Sequence, residues 1–152
     1  MVRRLGYVAI VSFGLVLLGS PQLYGQSTDI RIYGGSYTEN SDLFLGGGLG
    51  VNVLMLTVVP NFEYVFLDKG TFYTANLDGH LDILPLPGFT GWLGGGFAYI
   101  FAKPENRESV TRGGFNLIAG FGADVVPLSP FIQAKYVFTN KNQFVIAIGI
   151  RL

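Results

Sequence analysis

The chain has 152 residues, of which 49% are hydrophobic, 14% aromatic and only 13% charged, and its formal charges cancel at neutral pH. The length fits one domain, the charge is well below the roughly 25% of an average soluble domain, and the aromatic content excludes intrinsic disorder. Balanced charge offers no basic surface for nucleic acid, the lack of cysteine excludes disulfides and thiolate chemistry, and a single histidine excludes a histidine-rich metal site.

The first element is an export signal. Arg3 and Arg4 form a short positive start, and Leu5 to Leu18 then run without a charge. Gly19-Ser20-Pro21 breaks any helix, and small residues follow. This is the pattern of a secretory signal peptide. The apolar run is shorter than the roughly 20 residues a helix needs to cross a bilayer. Cleavage is expected between Gly25 and Gln26, with Ser27-Thr28 as the alternative. Residues 1–25 are thus a signal peptide and residues 26–152 the barrel domain, which carries 8 basic and 10 acidic residues.

Beyond the signal, apolar residues alternate and turn-formers recur, which predicts strands and no helix. Eight are expected, at 29–37, 43–53, 56–67, 72–84, 91–102, 114–125, 130–139 and 143–152. A spacing of about 16 residues per strand and connection fits transmembrane β-strands of about 9–11 residues joined by short links. One face of each is large and apolar. In 72–84 it holds Leu77, Leu81 and Ile83, in 91–102 Leu93, Phe97, Tyr99 and Phe101, and in 143–152 Phe144, Ile146, Ile148 and Ile150. The opposite face holds glycines, polar groups and charges. A soluble barrel would turn the apolar face inward, whereas a membrane barrel turns it to lipid and fills the lumen with small and polar residues. Glycine on the polar face, nearly balanced charges there and the export signal favour the second arrangement. Phe44, Trp92 and Phe131 suit the interior of an eight-stranded barrel, which side chains just fill. The expected fold is therefore all-β, an eight-stranded antiparallel up-and-down transmembrane β-barrel preceded by a cleaved signal peptide.

The connections alternate in chemistry. The first, third, fifth and seventh are polar; the second, fourth and sixth are apolar or carry proline. With both termini periplasmic, the polar set faces outward from the cell. The segment 103–113, with Lys103, Glu105, Arg107, Glu108 and Arg112, is the only connection long enough to act as a binding loop, and it reads first as a solvated mixed-charge loop.

The stretch VVPLSPFIQAKYVFTNKNQFVIAIGIRL resembles the closing hairpin of small bacterial outer-membrane β-barrel proteins of the OmpA/OmpX type, and GWLGGGFAYIF is similar to their glycine-aromatic central strands. The resemblance covers roughly residues 28–152 and rests on alternation and composition. It implies residence in the bacterial outer membrane, insertion by the barrel-assembly machinery and contact with outer-membrane lipid. The family usually ends in an aromatic residue; here the sequence ends Arg151-Leu152.

Chemistry-bearing motifs are sparse. GGGLG at 46–50 and GGG at 94–96 match no phosphate-binding pattern and open no helix. Asp78, His80 and Asp82 share one strand face, yet no serine accompanies His80, and two carboxylates without a liganding loop do not specify a cation site. No catalytic, cofactor or metal residues are assigned. The expected polar network of the lumen is structural and comprises Arg31, Glu63, Asp78, His80, Asp82, Asp124, Lys135 and Arg151. Counting from the periplasmic end places Arg31, Asp82, Asp124 and Arg151 low, and Glu63, Asp78, His80 and Lys135 near the middle. Acidic and basic walls would face each other and plug the lumen. The expected protein is a monomeric, non-enzymatic outer-membrane barrel with a structural, adhesive or envelope-interaction role. The alternatives are a lipid-modifying membrane enzyme and a secreted lipocalin-like barrel.

Overall fold

The computed structural model describes residues 26–125 and 127–152; the expected signal segment and the Gly25 side of its cleavage site lie outside the described residues. Eight strands follow one another: β1 (Gln26–Tyr37), β2 (Asp42–Val53), β3 (Leu56–Val65), β4 (Thr71–Leu86), β5 (Phe89–Lys103), β6 (Val110–Ala123), β7 (Ser129–Phe138) and β8 (Gln143–Arg151). Each pairs antiparallel with the next, and β1 pairs with β8 to close the barrel. Closure runs to the last residue, since Ile30 and Leu152 exchange both backbone hydrogen bonds. A closed ring leaves no unpaired edge along its paired length.

The alternation places Leu45, Leu77, Phe97, Leu117 and Ile132 on the outer surface, while Tyr33, Phe44, Trp92, Ile118 and Phe131 are buried inside. Outward apolar side chains thus form a continuous belt, far beyond the few hundred Å² of exposed apolar patch typical of a soluble monomer. The inner and outer faces fall where alternation put them on the strands at 43–53, 72–84, 91–102, 114–125, 130–139 and 143–152, except at the end of β4, where the consecutive residues Ile83 and Leu84 are both exposed.

Several strand boundaries differ from the sequence reading: β1 begins at Gln26 and not at 29, β3 and β6 end two residues early, and two further differences reshape the ends of the barrel. β4 and β5 run on to a two-residue Pro87-Gly88 turn, with Gly88 at φ 79°, because a bulge between Asp82 and Leu84 absorbs the register change and lets Pro85 and Leu86 keep pairing. β6 begins at Val110 and not at 114, so the supposed 103–113 loop shrinks to residues 104–109. Lys103 and Arg112 lie in strands. The cause is the length of β5, whose Ile100, Phe101 and Ala102 offer ladder partners to Arg112, Thr111 and Val110. β7 reaches only Phe115 of β6, so the β5–β6 hairpin stands above β7 at the loop end, while β4 keeps pace with β5 through Thr71 opposite Lys103.

Candidate functional site

The glycine tracts explain how a narrow lumen accommodates large side chains. Trp92 lies opposite Gly120, His80 opposite Gly94, Asp78 opposite Gly96 and Glu63 opposite Gly46. A Cβ built on Gly120 would fall within the indole of Trp92. Space, not turn conformation, is what these glycines supply. Gly120→Ala is therefore expected to push the indole from its seat while leaving the outer face untouched. The protein contains one tryptophan, so its emission maximum reads the displacement directly; an unchanged spectrum would refute this packing.

At mid-lumen, Lys135 of β7 reaches across to Glu63 of β3 and forms an ion pair, with side chains 3% and 1% exposed. Glu63 also accepts hydrogen bonds from Tyr37 at 2.7 Å and from Tyr33 and Thr74 at 3.3 Å. Asp78 does not bond to Lys135. Its two oxygens instead accept from the side-chain amides of Asn61 at 2.7 Å and Asn116 at 2.8 Å. Asn76 links the two amides, donating to Asn61 at 2.9 Å and accepting from Asn116 at 3.1 Å. A carboxylate held by neutral donors retains much of its hydrogen bonding without a direct counter-charge.

Nearer the turn end, a polar chamber of about 280 Å³ is lined by residues that include Asp29, Arg31, His80, Asp82, Trp92 and Arg151. Arg31 grips Asp29, two residues away on the same strand, through Nε at 2.6 Å and Nη2 at 3.3 Å. Its Nη1 lies 3.1 Å from Nδ1 of His80. A guanidinium only donates, so Nδ1 is the acceptor and the imidazole proton sits on Nε2. The imidazole stacks on Trp92 at 6.0 Å, and Arg151 lies over the indole at 5.4 Å. Arg151 also donates to Asp124 at 2.9 Å, where Thr90 adds a second donor at 2.5 Å.

The sequence-derived residues therefore separate into two groups. Glu63, Asp78 and Lys135 meet at mid-lumen; Arg31, His80, Asp82, Asp124 and Arg151 gather toward the turn end. His80 belongs to this lower group and not to the middle one, because Arg31 and Trp92 hold it there. Asp82 lines the chamber, and its carboxylate makes no hydrogen bond among the described residues, although its backbone N–H donates to the Met55 carbonyl at 3.1 Å. Wall-to-wall pairing of acids and bases holds for Glu63 and Lys135 but not for Arg31, whose partner is Asp29 on its own strand. Tyr33, Tyr37, Asn61, Thr74 and Asn76 complete the network. Their only sequence signal was strand parity with Arg31, Glu63 and Asp78. Among the described residues, no group of three or more histidine, cysteine or acidic side chains is arranged to hold a metal ion.

No protein-family model matches the chain, and no curated protein matches it significantly. Solved structures do match. Neisserial surface protein A superposes with a TM-score of 0.61 at 16% identity, covering 84% of this chain and 98% of that one. A de novo designed barrel solved by NMR, TMB2.3, gives 0.57 at 17% identity, covering 86% and 96%. A structure from the de novo design of transmembrane β-barrels gives 0.58 at 15% identity, covering 88% of this chain and all of that one. With its closed ring, apolar exterior and polar, side-chain-filled interior, the chain has the fold of the small eight-stranded outer-membrane β-barrels.

Proposed function

We propose that this protein is an integral outer-membrane β-barrel, exported by a signal peptide over residues 1–25, that serves a structural, adhesive or envelope-interaction role and does not conduct ions. The observation that carries the reading is the inversion of polarity. Leu, Ile and Phe cover the outside, while Glu63, Lys135, Asn76 and Asn116 are buried inside. A lipocalin-like soluble barrel would need the reverse. Outer-membrane lipid is the solvent of the apolar belt, the barrel-assembly machinery is the partner during insertion, and the monomer is complete because its ring closes on itself.

The closed lumen rests on the mid-level packing. Tyr33, Tyr37, Glu63 and Lys135 fill the section between the turn-end chamber and the loop-end cavity, and no residue lines both spaces. The network supports a structural role for the eight polar residues. His80 uses one ring nitrogen on Arg31 and covers Trp92 with its face, an arrangement suited to packing. Outer-membrane fractions should show a folded band in SDS that shifts on boiling, and protein soluble without detergent would overturn membrane residence. In planar bilayers the reconstituted barrel is expected to give no reproducible single-channel steps. Regular steps altered by Lys135→Ala would show that the lumen is a pore.

A further inference from the structure

The lumen changes character above Glu63. Toward the loop end its inward positions become apolar, with Val65, Ile100, Val137 and Val145 buried in one cluster against which Phe72 packs. Over this floor lies a cavity of about 520 Å³, within the roughly 300–1,000 Å³ usual for small-molecule sites. Phe72, Ile100, Ala102 and Val110 supply its apolar lining, and Arg107, Arg112 and Lys141 its cations. The raised β5–β6 hairpin builds one wall, since Val110 to Gly114 pair with β5 above the reach of β7.

The charge pattern separates this cavity from the turn-end chamber. There, Arg31 and Arg151 are each matched by an aspartate. Here, none of Arg107, Arg112 and Lys141 makes an ion pair among the described residues, and Glu108 is the one acid in the lining. Three cations against one acid, above an apolar floor, leave an excess of positive charge that complements a molecule with one anionic head and a short apolar segment. We propose that the loop-end cavity binds a single-chain amphipathic anion arriving from the aqueous side. Its carboxylate, phosphate or sulfate is held by Arg107, Arg112 and Lys141, and its apolar segment lies on Phe72, Ile100 and Ala102.

The test uses the barrel in phosphatidylcholine nanodiscs, with isoleucine and valine methyl groups labelled for NMR and sodium octanoate as probe. Saturable shifts at Ile100 and Val110 are expected, with none from octyltrimethylammonium or acetate at the same concentrations. The Arg107→Gln/Arg112→Gln/Lys141→Gln variant changes only exposed side chains and should bind at least about tenfold more weakly. Ala102→Trp, which fills the floor, should do the same with the cations intact. Shifts that stay linear, that octyltrimethylammonium or acetate reproduces, or that survive the triple substitution would overturn the proposal. Phosphatidylglycerol in the nanodisc should leave the octanoate curve unmoved. Competition by that lipid would assign the cavity to a bilayer headgroup and overturn entry from water.

Discussion

Lys135→Ala should lower the stability of the folded barrel by about 3–5 kcal/mol, read from equilibrium unfolding in urea with lipid vesicles. The magnitude follows from what the substitution leaves behind. Glu63 is 1% exposed and keeps its hydroxyl donors from Tyr33, Tyr37 and Thr74, but loses the one cation that contacts it among the described residues. Hydrogen bonds from neutral donors offset part of the desolvation of a carboxylate; without a counter-charge the remainder is large. Removing both charges, as Glu63→Gln with Lys135→Met, should recover most of the loss, because well-packed neutral side chains often replace a buried pair without penalty. A single-variant loss below about 1 kcal/mol would place the pair in the class of solvent-screened contacts and mean that water reaches Glu63.

Ile148→Arg should cost about 2–4 kcal/mol, whereas Phe121→Arg should cost nearer 0–1 kcal/mol. Both side chains point outward, as alternation requires, and Ile148 is 70% exposed. Their depths differ. Ile148 sits in the middle of β8, opposite Ile132 and Gly34. Phe121 is close to the end of β6 and stacks at 5.7 Å on Phe89, which directly follows the Pro87-Gly88 turn. An arginine there extends its head to the interface and keeps only its stem in the hydrocarbon. Refolding titrations of the two variants in the same vesicles give the comparison. Equal penalties would place Phe121 at mid-membrane depth, and a reversed order would contradict the strand register.

Alternation carried most of the architecture. A period of two is a local property, so Leu77, Leu81, Phe97 and Ile148 could be assigned to the outer face without knowing any partner strand. Strand ends were less legible. Val110 to Gly113 extend β6 only because β5 is long enough to pair with them, a fact written in another segment. The network followed the same division. Parity identified Arg31, Glu63, Asp78, His80 and Lys135 as inward-facing, but the partner of each depends on stagger between strands. Residue counting along single strands lacks that stagger, and so put His80 too high. Asp29 escaped because it stands near the start of β1, where the alternation begins. Tyr33 and Tyr37 escaped because an aromatic ring reads as apolar, although the hydroxyl is what reaches Glu63.

The members of the mid-lumen network are distant along the chain: Glu63 and Lys135 are 72 residues apart, and Asp78 and Asn116 are 38 apart. No single hairpin brings Lys135 to Glu63. During assembly, a sheet of the first four strands would hold Glu63 and Asp78 on an open face, and the cation arrives only with β7. Loop-closure entropy must therefore be met before the ion pair returns any free energy. The chemistry that holds the finished lumen together disfavours every partly rolled sheet in lipid, and so makes ring closure the cooperative step of folding.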